Sequence, residues 1–362
     1  PTFHEAAVIG ATISHMLAAW PQRDLTVYVG CYRNDPRTIA AASAAAAKDS
    51  RVRIVIHGVD GPTTKADCLN RLYRALCTDE ERLGSFFASV ILHDAEDMVH
   101  RAALQAIDAA LVLRDFVQLP VRPELQGRSR WIAGHYADEF AESHAKTMVV
   151  RAALGASLPA AGVGCGFARS ALGELAAVRR AAGESGPFAP DSLTEDYELG
   201  LILSRHGRGS AFLRLRDDGG ELVATRSYFP HRLDGAVRQK TRWIHGIALQ
   251  GWERMGWIGQ SVELWMALRD RRGPLTALVL AAAYLLLLVD GLLLGLSWTG
   301  IVRDQPVSPV LASMLGICLV GFLWRTGMRF FFTAREYGVV EGLRAIGRIP
   351  VANLITIIAG RR

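Results

Sequence analysis

The chain has 362 residues, above the ~100–200 of a usual single domain, so two or three units are expected. Half of the residues are hydrophobic and 21% are charged, which excludes a disordered, collagen-like or coiled-coil chain. Lys and Arg number 41 against 35 Asp and Glu, a formal +6 that suits nucleic acid, anionic lipid or a phosphorylated substrate without choosing among them. The five cysteines (Cys31, Cys68, Cys77, Cys165 and Cys318) form no C-x-x-C pair, so a reducing compartment is expected rather than a disulfide framework or zinc site. No basic-then-apolar leader follows Pro1, and a start at Pro reads as a fragment or trimmed chain.

In chain order, Leu25–Val29, Val52–His57 and Phe86–His93 are short β-branched or aromatic runs that predict strands. Between them Thr38–Lys48 is rich in Ala, and Lys65–Cys77 carries Ala66, Leu69, Leu72, Tyr73 and Leu76 on one helical face. Strand and helix in alternation predict an α/β layer with a mainly parallel sheet, whose ligands bind at the C-terminal ends of the strands. That rule directs attention to His93-Asp94-Ala95-Glu96-Asp97, three carboxylates at the mouth of an apolar strand. In extended geometry Asp94 and Glu96 point to one side, where oxygen ligands suit Mg2+ or Mn2+. The bland alternative is a helix N-terminus, with the acids complementing a helix that starts near Met98. Further along, Thr194 stands as an N-cap before Glu195, Asp196 and an apolar helical run. Gln239-Lys240-Thr241-Arg242-Trp243 is a cationic and aromatic cluster that also suits an ordinary amphipathic helix.

Apolar residues then concentrate. Leu275–Leu296 is long enough to cross ~30 Å of hydrocarbon and holds one charge, Asp290; Val307–Trp324 is a second run at the short end of the spanning range. Arg269, Arg271 and Arg272 precede the first run, Arg325 and Arg329 follow the second, and the Ser297–Pro306 connection has only Arg303 offset by Asp304. The positive-inside rule therefore predicts a multi-pass inner (cytoplasmic) membrane protein with its large N-terminal head in the cytoplasm. Arg325–Arg348 mixes aromatic and basic residues and reads as an amphipathic helix in the headgroup plane. Ile349–Ala359 is apolar but too short to span, so it reads as an interfacial piece or the start of a further membrane segment.

The order of these motifs resembles family 2 glycosyltransferases of the membrane-embedded polysaccharide synthase type, which include the cellulose, chitin and hyaluronan synthases. An acidic Asp94-x-Glu96 follows a strand, then come Thr194-Glu195-Asp196, Gln239-x-x-Arg242-Trp243 and the membrane helices. Pro1–Glu5 stands where that family opens with Pro-x-x-Asn-Glu, Gly61–Asn70 holds a Lys-Ala…Leu-Asn segment, and Gly162–Arg169 matches its glycine-rich turn before an Arg. Three departures stand out: His4 replaces the Asn, Glu96 replaces an Asp, and Gly30-Cys31 occupies the place of an Asp-Asp pair, with Asp35 further along.

The resemblance implies a GT-A type glycosyltransferase domain over residues 1–260, a mixed and mainly parallel sheet between helices, with an interface helix near 236–260. It is followed by a basic juxtamembrane linker (261–273), two transmembrane helices (274–324) and an amphipathic interfacial segment (325–362). It implies Asp94 and Glu96 as metal ligands and Asp196, beside Glu195, as the catalytic base. Glu5, Lys65, Asp94, Gln239 and Arg242 are implied for donor and diphosphate binding, and Thr194 and Trp243 for the acceptor. The implied reaction is an inverting transfer from a nucleotide-diphosphate sugar, a UDP-hexose or UDP-N-acetylhexosamine, to a growing β-linked polysaccharide. Membrane lipids, an export partner and cyclic-di-GMP regulation through segments outside this sequence are further expectations. Packing against an interfacial helix is the bland role for Trp243.

Other classes were weighed. A nucleotide-binding head without turnover, serving as a receptor or docking platform, needs no base at Asp196. A dinucleotide oxidoreductase is suggested by Gly162-x-Gly164-x-Gly166, but the spacing fails G-x-G-x-x-G and no acidic ribose partner follows. His135, Asp138, Glu139 and His144 suggest a metal hydrolase, with an acceptor-side or solvated helix face as the commoner reading. Nucleic acid is disfavoured, because the basic residues are dispersed or juxtamembrane.

Overall fold

The computed structural model describes residues 1–257, 259–301 and 307–362, so Arg303 and Asp304 of the orientation argument lie outside the described residues. In chain order the first elements are α1 (Ile9–Ala19), β1 (Val27–Tyr32), α2 (Pro36–Ala46), β2 (Val52–His57), α3 (Lys65–Leu83), β3 (Ser89–Leu92), α4 (Ala103–Leu111), β4 (Phe116–Gln118), β5 (Val121–Pro123), α5 (Ile132–Glu142) and α6 (Met148–Ala153). There follow β6 (Cys165–Ala168), α7 (Arg169–Ala181), α8 (Glu195–Arg205), β7 (Ser210–Phe212), β8 (Thr225–Ser227), α9 (Leu233–Ile244), α10 (Gly251–Met255), α11 (Ser261–Arg271), α12 (Gly273–Trp298), α13 (Pro309–Tyr337) and α14 (Val339–Arg361). They form two compact units, unit 1 from Pro1–Glu124, Lys146–Tyr228 and Gln250–Met266, and unit 2 from Leu125–Ala145, Phe229–Leu249 and Ala267–Arg362. The partition differs from a single head over residues 1–260, because α5 and α9 bury Tyr136, Ala236 and Val237 with Ile355 and Ala359 of α14.

Unit 1 is the α/β layer. β1 and β2 pair in parallel, a four-stranded sheet runs β3-β6-β4-β7, and β5 pairs with β8. β6 is antiparallel to both β3 and β4, while β4–β7 and β5–β8 are parallel, so the strands are mixed as expected. Local chemistry sets the helix starts. Asp35 caps α2 by accepting from the Thr38 amide, with Pro36 following; Thr64 caps α3 by accepting from the Asp67 amide. The principal core packs Leu69 and Tyr73 of α3 and Leu172, Leu199 and Leu203 of α7 and α8 around the stacked rings of Phe116 and Phe167, 5.2 Å apart. A cavity of about 380 Å³ runs between β1 and β3, with mainly apolar walls that also include His93 and Asp94.

Unit 2 is helical. α12, α13 and α14 are each long and apolar enough to cross a membrane, and most of the α12 and α13 side chains are exposed. Two of the sequence boundaries change. The second apolar run does not stop at Trp324 but continues as one helix to Tyr337. Of the residues expected as two interfacial pieces, 325–337 belong to α13 and 339–361 form the single helix α14, with Pro350 inside it. The continuity has an electrostatic cause: Arg348, expected in the headgroup plane, is 1% exposed and bonded to Asp138 and Glu341. Residues 261–273, expected as a linker, are largely helical as α11.

α5 holds this unit together with three acids, each taken by a cation from a different helix. Asp138 receives Arg348 of α14 through two bonds of 2.7 and 2.8 Å, Glu139 receives Lys240 of α9 at 2.7 Å, and Glu142 receives Arg329 of α13 at 2.9 Å. Burial would raise the Glu139 carboxyl, but Lys240, then His135 and Arg329, bring it down to about 2. Replacing Arg348 by Leu leaves Asp138 buried and uncompensated, and should cost about 3–5 kcal/mol in thermal unfolding of detergent-purified protein. Replacing both Asp138 and Arg348 by Leu should recover much of that loss.

Candidate active site

β3 ends at Leu92, and the chain then turns rather than entering a helix. Met98 bridges to Arg226, and the next helix is α4 at Ala103, so the acids after β3 do not cap a helix near Met98. Asp97, 1% exposed, closes the turn: its Oδ2 accepts from the Asp94 amide at 2.8 Å and lies 3.3 Å from His93 Nδ1. Its Oδ1 is buried without a hydrogen-bond partner among the described residues.

Lys65, the first residue of α3, reaches this turn. Its Nζ donates to Asp94 Oδ1 at 2.6 Å and to the Gly162 carbonyl at 3.4 Å. Burial would lower the Lys65 ammonium, but Asp94, then Asp196 and Glu195, outweigh it and hold it above its ordinary value. Burial likewise works against the Asp94 carboxylate, and Lys65 overrides it. Glu96 and Glu5 have no ion pair among the described residues. Burial, then Asp94, Asp97 and Glu5, push Glu96 up to about 7, and burial with Asp94 and Asp35 raises Glu5. Glu96 and Glu5, raised by burial and then by neighbouring carboxylates, form with the ionised Asp94 an oxygen-rich set of a chemistry that fits a hard divalent cation.

Asp196 lies in the first turn of α8, and Gly162 explains how it meets Lys65. A Cβ at Gly162 would fall 2.2 Å from Asp196 Oδ2 and 3.3 Å from Lys65 Nζ, so both groups face one point. Gly162 also has φ +76°, which side chains other than glycine rarely adopt. The neighbouring Gly164 and Gly166 are filled in the same way by Thr225 and Ile107. These glycines thus lead into β6 against packed side chains, not into a phosphate-binding helix, and the oxidoreductase reading falls. Thr194 occupies the N-cap position of α8 and is 5% exposed, but its hydroxyl makes no capping bond, contrary to expectation.

The sequence reading missed Gln118. At 0% exposure its amide donates to the Val163 carbonyl at 3.0 Å and accepts from the Ala161 amide at 2.8 Å, clamping the turn that carries Gly162. A Gln inside the apolar run Phe116–Val121 was its one visible signal. The place of the family's Asp-Asp pair is closed: a Cβ at Gly30 would meet Cys68 Sγ at 2.6 Å, and Cys31 is fully buried. Asp35 is not a displaced substitute, because it accepts from the His4 amide at 2.6 Å and caps α2.

Gln239, Arg242 and Trp243 lie on α9 in unit 2. Gln239 Oε1 is buried without a partner, and Arg242 is exposed and makes no ion pair, among the described residues. Trp243 packs edge-on to Tyr136 at 6.1 Å within the apolar cluster of that unit. The suggested hydrolase set does not converge: Asp138 and Glu139 are engaged as described, and His144 packs edge-on to Phe140. Their helix is buried rather than solvated. Elsewhere His100, Asp217 and Glu221 come close enough to hold an ion. However, His100 Nδ1 accepts from the Ala102 amide, which leaves Nε2 protonated, and Arg101 and Arg226 already neutralise the two acids.

The Gly162→Ala variant should collide with Asp196 and strain the turn. Conformational strain of this kind is worth about 1–3 kcal/mol, seen as a lower Tm.

Comparison with known proteins agrees with the geometry. Two curated proteins, the bacteriophage adsorption protein B of Escherichia coli K12 and the bacteriophage N4 adsorption protein B of E. coli O157:H7, are each 32% identical over 385 residues and match all of this chain. The chain spans about half of their length, 51%. Among solved structures, the mannosyltransferase PcManGT of Pyrobaculum calidifontis, in complex with GDP-Man and Mn2+, superposes with a TM-score of 0.54 at 15% identity, covering 98% of this chain and 85% of its own. That likeness bears out the GT-A type fold. The model of the glycosyltransferase-like family 2 matches residues 1–246, and the chain belongs to that family.

Proposed function

We propose that the chain is an inverting, metal-dependent transferase that moves a sugar from a nucleotide-diphosphate donor to a growing β-linked polysaccharide at the bacterial inner membrane. The observation that carries this is the approach of Lys65, Asp94 and Asp196 around Gly162, beside carboxylates that a divalent cation would relieve. Asp94 and Glu96 would hold Mg2+ or Mn2+, which when bound supplies Lewis-acid neutralisation of the leaving diphosphate. The mannosyltransferase neighbour, with its GDP-Man and Mn2+, supports a donor and an ion of these classes.

In this reading Lys65 keeps Asp94 ionised and adds fixed positive charge, and Glu5 completes the donor side. Asp196, supported by Glu195, takes the proton of the acceptor hydroxyl, and Thr194 belongs to the acceptor side. Direct displacement by that hydroxyl inverts the anomeric centre, so an α-linked donor yields a β-linked product. Gln239 and Arg242 as donor-binding residues and Trp243 as an acceptor platform rest on the motif alone. The head faces the cytoplasm by the arginine distribution around α12 and α13. A hexose or N-acetylhexosamine carried by UDP remains the proposed donor. The closed position at Gly30 and Cys31 makes GDP-sugars the necessary comparison.

The names of the two curated relatives favour a second reading, a docking platform without turnover. Nucleoside-diphosphate release from a panel of UDP- and GDP-sugars, with Mn2+ or Mg2+, separates the two. Release from one donor should fall by about 10²–10⁴-fold in Asp196→Asn while donor binding persists. Bound nucleotide with no release from any donor would support the platform instead.

The metal assignment has its own signature. Burial and the neighbouring carboxylates push Glu96 up to about 7 from the ordinary 4.5 of a glutamate, so the stability its neutral form contributes is lost as pH rises through that window. A cation favours the ionised form and reverses that loss. Mn2+ should therefore raise Tm more at about pH 8 than at about pH 6, and Glu96→Gln should flatten the difference.

A further inference from the structure

The basic charge of the chain is concentrated in unit 2. Unit 2 has 17 Lys and Arg against 9 Asp and Glu, a net of +8, whereas unit 1 has 24 against 26. Part of this excess is used inside the unit, by Lys240, Arg329 and Arg348 on α5. Another part is not.

Four arginines gather where α12 begins. α14 packs against α12 so closely that a Cβ at Gly360 would lie 2.3 Å from Ala277 Cβ, and Asn353 donates to Tyr284 further along the same pair. The two helices are therefore antiparallel, and the end of α14 lies beside the start of α12. α9 ties the same ends, with Thr241 donating to the Ala359 carbonyl and Ile244 against Gly273. Arg361 and Arg362 follow Gly360 directly, and Arg269 and Arg272 precede Gly273. Arg272, Arg361 and Arg362 are exposed and Arg269 is half-exposed. None of the four has a side-chain hydrogen bond or ion pair among the described residues. Immediately beyond them α12 exposes Leu275, Leu278 and Val279.

A run of arginines on a soluble surface is ordinarily a solvated face. Here the unpaired charges border a 26-residue apolar helix whose side chains are mostly exposed, and that helix requires hydrocarbon around it. The layer that meets its basic end is the phosphate-bearing headgroup layer, where clusters of four to eight Lys or Arg attract anionic lipid. We propose that Arg269, Arg272, Arg361 and Arg362 form a binding surface for anionic phospholipid headgroups. This rests on the reading of α12 as membrane-spanning, and it goes beyond that reading by specifying a lipid preference.

The test reconstitutes the full chain into vesicles of phosphatidylcholine containing a minority of phosphatidylglycerol, extracts it gently and measures co-purified lipid by mass spectrometry. Phosphatidylglycerol should be enriched about fivefold over the bulk mixture, the factor one surface arginine supplies. High salt should reduce the enrichment, and R269Q/R272Q/R361Q/R362Q should remove it with Tm unchanged. Salt titration of the unsubstituted protein tests the same point if that variant unfolds. Flotation with the vesicles but a lipid ratio equal to the bulk, or enrichment retained in the variant, would overturn the proposal and leave the membrane reading standing. Failure to float with vesicles of either lipid would overturn both.

Discussion

The acidic site of unit 1 is organised around Lys65, which bonds Asp94 and faces Asp196 and Glu195. Glu5 comes from the first loop, Asp94 and Glu96 from the turn after β3, and Glu195 and Asp196 from the start of α8. Like charges brought together from three segments repel strongly in a partly dry environment. Lys65 relieves that repulsion at Asp94, where it makes its 2.6 Å bond, and leaves Glu96 and Glu5 shifted towards their neutral forms. The fold tolerates this because α3 is capped at Thr64 independently of the acids, so Lys65 is delivered whatever their protonation state. Asp97 and Gln118 hold the two facing turns by neutral and charge-assisted bonds to backbone, which keeps the carboxylates from relaxing apart.

Unit 2 solves the same problem in the opposite way. α5 has three acids, and each has a cation of its own from a different helix. Arg348 is shared with Glu341 of its own helix, and the charges serve to fix α9, α13 and α14 against a common helix. A buried pair of this kind adds little net stability over apolar packing, but removing one partner is expensive, so it specifies which helices meet. At the start of α12 the balance tips again, towards unpaired arginine. Three local ratios of acid to base thus go with three kinds of partner, a hard cation in unit 1 and an anion at the end of α14 as proposed above, and the protein itself around α5.

Much of this was legible in the sequence. Strand periodicity gave β2 at its observed limits, and β1 and β3 within a few residues, because half-buried strands carry their pattern locally. The motif order carried Lys65, Asp94 and Asp196 to one place. What could not be read were the long-range pairings. Arg348 and Asp138 are 210 residues apart, and without its partner Arg348 looks like a charge of an amphipathic helix in the headgroup plane. Thr194 precedes an apolar helix and carries the right hydroxyl, yet that hydroxyl makes no capping bond. Asp35, further along from the place of the Asp-Asp pair, is consumed by its own helix and the His4 amide.

Gly162 separates catalysis from simple nucleotide binding more sharply than any of the charged residues. A site that only held a diphosphate would need cations and backbone amides, and would gain nothing from a second carboxylate pressed against its lysine. At Gly162 the chain adopts a left-handed conformation and gives up a side chain, and the space released is taken by Asp196. The arrangement places the Asp196 carboxylate beside the Lys65 ammonium, which in the proposed reaction would be the proton acceptor and the positive charge that a departing diphosphate requires. Displacement by a hydroxyl needs both groups at once, whereas a docking platform would need neither the carboxylate nor the glycine that admits it.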